Sequence, residues 1–309
     1  MKLLLRTVSI TAALLSFHAA EAQRTACDRA CLTGFIDSYF AALMANRASA
    51  LPQAARARIT ENSHEKKLAD TFWDGAEETL YRFDIVNVRR GDTGTQTVIR
   101  NADGSKTMHM LRLKVQNGAI TEIETIKTNQ GEADRLWDPD RLVGEPTTAF
   151  QLSIRDMEQD SYYDLVGTAE SYWRAFQTNG TPAYRRARLL PDSRRFENGL
   201  QTTGLVRDGV FNDTARGFDE GRFSDRNIWD RRYPVVDEER GVVLTIVRFG
   251  LKEGLKSQST ATSNDRLVAE FFAIKHGYIQ EIQAVLFNLP DTEPTGWPAD
   301  YGPNRAGAD

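Results

Sequence analysis

The sequence predicts an α+β fold made of one unit built twice. Three observations carry that reading. Arg58-Ile59-Thr60-Glu61-Asn62-Ser63 is echoed by Arg195-Phe196-Glu197-Asn198-Gly199. Each copy follows a Leu-Pro pair, Leu51-Pro52 and Leu190-Pro191, and an amphipathic helix pattern precedes each pair. Downstream, Asn117-Gly118-Ala119-Ile120-Thr121-Glu122-Ile123-Glu124 is matched by His276-Gly277-Tyr278-Ile279-Gln280-Glu281-Ile282-Gln283. The second copy is longer between these landmarks.

Residues 1–22 read as a secretory signal: Lys2 and Arg6 flank an apolar run too short to span a bilayer, and Ala20-Glu21-Ala22 is a small-residue cleavage site. A periplasmic or secreted location follows, with the mature chain starting at Gln23. In an exported chain the pair Cys27 and Cys31 suggests a disulfide; two small apolar residues in a helix is the alternative.

The first unit spans 23–127. Leu32, Phe35, Ile36, Tyr39, Phe40, Leu43 and Met44 recur at helical spacing over 31–45, with Asp28 as the cap. Pro52 predicts a second short helix to about Arg56. Alternating residues from Tyr81, then segments near 95–100, 107–115 and 119–126, predict antiparallel strands joined by turns at Asp103-Gly104 and Asn117-Gly118. Residues 128–159 read as a linker. The second unit spans 160–288. Its helix carries Val166, Ala169, Tyr172, Trp173 and Phe176, and Asn179-Gly180 ends it. Residues 182–190 read as a second helix and 203–228 as a long loop. Strands are expected near 231–237, 241–249, 266–275 and 278–287. Residues 289–309 form a Pro/Gly-rich tail.

The formal net charge is −4. With no basic block, that argues against nucleic-acid binding. Integral membrane association is not expected, and a homodimer is compatible with the sequence. No phosphate loop, dinucleotide fingerprint, Gly-x-Ser-x-Gly elbow or metal-ligand spacing appears. The expected site therefore uses no cofactor and no metal. What remains is proton transfer by carboxylates, histidine and tyrosine.

His109 shares strand parity with Leu111, Leu113 and Val115, so it points inward, either as a neutral base or as a hydrogen-bonded core histidine. Its counterpart in the second unit is Val268, so the two interiors are not equivalent. Glu61 and Glu197 recur beside Asn62 and Asn198, either as pocket acids or as caps fixing the chain crossing. His64 can join Glu61 or lie in solvent. Glu270 interrupts an apolar strand face and needs a partner; Arg231, Arg232, Arg248 and Tyr233 are the candidates, in substrate binding or in a structural ion pair. Trp73 and Trp229 are expected at corresponding places as aromatic pocket walls or as core. Asp237, Glu238 and Arg240 read as a charge-held hairpin turn.

Leu32–Met44, Arg58–Asn62 and the hairpins ending at Glu124 and Gln283 give the chain a resemblance to the SnoaL-like branch of the nuclear-transport-factor-2-like superfamily. It also resembles an uncharacterised family of secreted tandem SnoaL-like proteins. The markers there are Cys27–Leu32, Thr60-Glu61-Asn62 and the run Arg231-Arg232-Tyr233-Pro234-Val235-Val236-Asp237-Glu238-Glu239-Arg240-Gly241. The resemblance implies two tandem cone-shaped α+β barrels, each with a pocket between sheet and helices. It implies no single reaction. The expectation is a cofactor-independent lyase or isomerase acting on a small apolar, aromatic molecule, for example deformylating a lignin-derived phenolic dimer. The alternative is a non-catalytic binding or scaffold protein.

Overall fold

The structure is a computed structural model that describes residues 27–73, 75–132, 135–177, 187–221, 223–252, 265–290 and 293–300. The expected signal peptide over 1–22, the expected helix stop at Asn179-Gly180, most of the helix expected over 182–190 and the end of the tail lie outside the described residues.

Helix α1 (Arg29–Met44) forms where its stripe predicts, burying Leu32, Ile36, Tyr39, Phe40 and Leu43. Asp28 caps it by accepting the Cys31 N–H at 2.8 Å, which satisfies one of the helix's orphan donors. Cys27 and Cys31 are disulfide-bonded, with Cα atoms 5.2 Å apart.

Six strands follow: β1 (Gln53–Glu61), β2 (His64–Glu65), β3 (Ala76–Asn87), β4 (Asp92–Asn101), β5 (Lys106–Gln116) and β6 (Ala119–Asn129). They form one open sheet in the order β2-β1-β6-β5-β4-β3. A short helix α2 (Pro139–Gly144) precedes α3 (Tyr162–Gln177). Strands β7 (Leu189–Glu197) and β8 (Leu200–Thr203) come next, then a small hairpin, β9 (Leu205–Arg207) and β10 (Val210–Asn212), and helix α4 (Thr214–Asp219). Four long strands close the unit: β11 (Arg226–Asp237), β12 (Val242–Leu251), β13 (Asp265–Lys275) and β14 (Tyr278–Leu289). The second sheet reads β8-β7-β14-β13-β12-β11, the same order as the first.

The two units match in register. Glu61 pairs with Thr125 and Glu197 with Ala284. After each glutamate an asparagine turns out of the strand at positive φ, 48° for Asn62 and 45° for Asn198. Its side chain then clamps the last strand. Asn62 donates to the Lys127 carbonyl and accepts the Lys127 N–H; Asn198 does the same with Leu286. Asparagine suits both tasks: it tolerates the left-handed region and carries a donor and an acceptor on one amide.

Several expectations need correction. The sheets are not wholly antiparallel: β1 runs parallel to β6, and β7 to β14. Pro52 opens a strand rather than a helix, because at a strand's first residues a missing N–H costs no ladder bond. For the same reason Leu190-Pro191 lies within β7. Residues 203–228 are not a bare loop; they hold the β9–β10 hairpin and α4. The linker over 128–159 is structured, and its Phe150 is fully buried, stacked on Phe83 at 4.5 Å.

Each sheet has its helix on one face and the other sheet on the opposite face. Val98, Met108, Met110 and Ile126 of the first sheet share one core with Leu244, Ile246, Leu267, Phe271 and Val285 of the second. Both faces of the central strands are therefore apolar. The backs of the two sheets pack on each other within a single chain.

The hairpin from Arg231 to Gly241 belongs to this junction. Asp237 accepts two hydrogen bonds from Arg29 on α1 and one from the Val86 N–H on β3, and Arg240 donates to the Asp84 carbonyl. The charges read as a turn clamp thus bind the two units together.

The sheets approach closely at Gly94. A Cβ there would stand 3.1 Å from Leu244 Cδ2 and 3.2 Å from Ile85 Cγ1. Gly94→Val is expected to lower unfolding free energy by about 1–3 kcal/mol through overpacking. Urea unfolding checks it; a loss under about 0.5 kcal/mol would mean the interface absorbs the extra carbons.

Candidate functional site

In the first unit, parity places His109 inward as expected, and it is fully buried. Its ring lies 6.4 Å from Tyr39, 6.3 Å from Phe40 and 6.0 Å from Phe72. Neither ring nitrogen has a hydrogen-bond partner among the described residues. Burial, helped by the nearby Lys127 ammonium, pushes its pKa down to about 3. The imidazole is neutral at any physiological pH.

A stability effect follows. The folded state resists a proton that the unfolded chain takes up near pH 6.5. The contribution is therefore whole above that pH and is lost as pH falls towards 3. His109→Phe is expected to keep the fold and to flatten this acid limb, by about 1.4 kcal/mol for each pH unit removed. Thermal midpoints of both proteins between pH 7 and pH 3.5 check it; parallel curves would remove His109 as the cause.

Glu61 is held by two bonds, from Lys66 Nζ at 2.8 Å and from the Phe72 N–H at 2.7 Å. It fixes the segment that returns to β3. His64 does not join it: half-exposed, the imidazole pairs with Glu293 at 2.9 Å. Trp73 is buried beside Tyr39, with ring centroids 5.4 Å apart. It lies in the turn before β3, whereas Trp229 lies on β11, so the two do not occupy matching positions.

The second unit brings titratable groups together. Glu270 on β13 is 4 % exposed and sits where the first unit has Leu111: Glu270 pairs with Thr245 and Ala284, Leu111 with Thr95 and Thr125. The Tyr172 hydroxyl on α3 donates to Glu270 Oε1 across a long 3.5 Å, and Arg195 on β7 donates to the same tyrosine oxygen at 3.1 Å. Arg195 also lies 3.6 Å from Glu197. Burial pushes the Glu270 carboxyl up to about 8; Arg195 opposes this, while Glu197 adds to it. The same burial pushes the Tyr172 phenol up. The arrangement is a neutral carboxylic acid and a neutral phenol beside a guanidinium, with a carboxylate–arginine pair toward solvent. Trp173, Phe176, Phe218 and Phe272 pack around Tyr172. Such a set can donate a proton, accept one and stabilise a developing oxyanion.

The structure thus joins Glu197 and Glu270 but keeps His109 and Glu61 in the other unit. Asn62 and Asn198 are strand clamps. Tyr233 is buried, and its hydroxyl donates to Glu170, which also pairs with Arg231 at 3.2 Å. Arg232 turns to the junction of the sheets and pairs with Glu124. The side chain bonded to Glu270 is Tyr172, not one of the expected Arg231, Arg232, Arg248 and Tyr233. The sequence did not point to Tyr172 and Arg195 as partners of Glu270 and Glu197. Tyr172 had a signal: it holds the same place in α3 that Tyr39 holds in α1. Arg195 had a fainter one, as the residue before Phe196-Glu197 where the first copy has Ile59 before Thr60-Glu61.

A family model described as a domain of unknown function, DUF8021, matches residues 158–286, which run from the approach to α3 into β14. No curated protein matches the chain. Among solved structures, the chain is similar to PrhC from Penicillium brasilianum NBRC 6234 at 7% identity and a TM-score of 0.26, over 31% of this chain and 80% of that one. It is also similar to AclR, described as a putative hydroxylase, from Streptomyces galilaeus, at 11% identity and a TM-score of 0.28, over 41% of this chain and 82% of that one.

Proposed function

We propose that the second unit is a cofactor-independent acid–base catalyst, of lyase or isomerase type, for a small apolar, aromatic molecule. The observation that carries it is the Glu270 carboxyl: buried, protonated near neutral pH and joined to Arg195 through Tyr172. In this reading Glu270 delivers the proton, Tyr172 and Arg195 hold the substrate oxygen, and Glu197 serves as base. The aromatic class of the substrate is taken from the SnoaL-like resemblance. The α3-covered sheet is taken as the wall of a SnoaL-like cone, and the Cys27–Cys31 bridge supports an exported protein.

One concrete step is deformylation of a lignin-type phenolic dimer. A base removes the proton of a CH₂OH arm, the adjoining C–C bond breaks to release formaldehyde, and the carbon left behind takes up the bonding electrons and a proton from Glu270. The alternative is a non-catalytic scaffold, since aromatic rings pack around His109 in the first unit and around Tyr172 in the second; the second unit is preferred because it holds the titratable cluster.

The test is to incubate purified protein with phenolic dimers and aromatic ketones and follow products by mass spectrometry. Turnover should be lost in Tyr172→Phe/Glu270→Gln and kept in His109→Gln. Turnover lost in His109→Gln and kept in the double variant would move the chemistry to the first unit. No turnover of any compound would favour the scaffold reading.

A further inference from the structure

We propose that the cavity beneath the C-terminal segment 293–300 binds a small organic oxyanion, a carboxylate or phosphate monoester whose body lies against Trp297. The cavity lies outside both unit interiors, where the back of the first sheet meets β11. It measures about 300 Å³, large enough for a small ligand. Its wall carries Arg58, Arg90, Arg112, Lys114, Arg232 and Trp297. Only three acids join them, Asp92, Glu122 and Asp300.

Behind the wall Glu124 neutralises part of this charge: it accepts from Arg112 and from both terminal nitrogens of Arg232, and Lys114 pairs with Asp92 at 3.0 Å. Arg58 and Arg90 are the more exposed and the less closely paired. Arg58 reaches Glu65 only at 3.8 Å, with both side chains well exposed. Arg90 touches Asp92 through Nε at 3.1 Å, also bonds with Tyr162 and lies near Asp300, and is half-exposed. Arg232 is 5 % exposed, and its Nε has no partner among the described residues. Arg58, Arg112 and Arg232 lie 4.0, 4.6 and 5.9 Å from the centroid of the Trp297 ring. Each gains from the ring face. Together they set three guanidiniums around one apolar plate, Arg112 and Arg232 sharing Glu124 and Arg58 the most exposed of the three, so an anion entering the cavity meets Arg58 first. Guanidinium forks match the oxygens of a carboxylate or phosphate, and the indole offers a flat surface to the rest of the ligand.

The wall is built rather than draped. The Trp297 indole N–H donates to Thr60 Oγ1 at 2.9 Å, and the Gly296 carbonyl accepts from Arg58 at 2.5 Å. Gly296 has φ +82°, and a Cβ there would stand 2.4 Å from the Ser63 carbonyl oxygen. Asp300 accepts the Tyr233 N–H at 2.9 Å. The segment therefore holds Trp297 at a fixed place over the cations.

The test uses the Trp297 indole N–H signal in a nitrogen-15 spectrum, assigned among five tryptophans by Trp297→Phe. Inorganic phosphate, phenyl phosphate and benzoate are titrated at ionic strength matched with sodium chloride. At least one organic probe should shift the signal saturably where chloride does not. Arg90→Gln, which leaves in place the Trp297–Thr60, Gly296–Arg58 and Asp300–Tyr233 bonds that hold the segment, should weaken that binding at least tenfold. The tighter of phenyl phosphate and benzoate identifies the head group. Shifts equal to those of chloride, or binding unchanged in Arg90→Gln, would overturn the proposal.

Discussion

Glu270→Gln is expected to melt higher than the native protein at pH 8.5, to gain little at pH 4.5, and to lose turnover roughly 10²–10⁴-fold. The sign follows from where the proton sits. In the folded protein burial holds the carboxyl at about 8, against an ordinary value of 4.5. Between those values the folded state keeps a proton that the unfolded chain has released. Native stability therefore contains a contribution that is whole below about pH 4.5 and is lost as pH rises through 8. Glutamine has no proton to lose, so the variant escapes that loss, on the order of 4 kcal/mol over the window. A glutamine can still meet the Tyr172 hydroxyl, which keeps the site's shape while removing its titratable group. The combination of a firmer fold and an inert site separates a functional carboxyl from a structural one. Thermal midpoints at the two pH values, with product formation on any substrate found, check both parts. A variant that is less stable at pH 8.5 would mean Glu270 is ionised in the fold and held by Arg195. The role of proton donor would then fall.

How far the sequence could be read depended on which surface each residue met. The helix stripe from Leu32 to Leu43, the turns at Gly118 and Gly277, and the long strands were legible because local periodicity and turn chemistry decide them. The repeat was legible because Asn62 and Asn198 do the same work in the same register. The linker and the two proline segments were misread for one reason: their structure comes from distant partners. Phe150 is ordered by Phe83, and Gln53–Glu61 becomes a strand because β6 offers a free edge. His109 could be placed by parity, but parity gives direction and says nothing of neighbours. The rings that seal it come from α1 and from the turn before β3. Glu270 stood out as a charge on an apolar face, whereas its link to Arg195 runs through a tyrosine on another element, which no spacing rule reaches.

Glu124→Ala is expected to cost about 3–5 kcal/mol, the usual result of stripping one partner from a buried charge cluster. Glu124 on β6 is 2 % exposed. It accepts two bonds from Arg232 on β11, at 3.0 and 2.5 Å, and one from Arg112 at 2.9 Å. Burial alone would raise its carboxyl, but Arg232 and Arg112 outweigh that and hold it below the ordinary value. Its contribution is therefore present at neutral pH and is lost as pH falls below the ordinary carboxylate range. Removing the carboxylate leaves two guanidiniums near each other in the junction between the units, Arg112 with only Glu122 at 2.8 Å and Asp92 at 3.7 Å. The loss should thus fall on the contact that joins the sheets. Adding Arg232→Met should recover part of the stability, since the uncompensated charge leaves and an apolar chain of similar length fills the space. Denaturant unfolding of the single and double variants measures the coupling. A loss below about 1 kcal/mol for Glu124→Ala, or a double variant worse than the sum of its parts, would show that the two arginines are satisfied without Glu124.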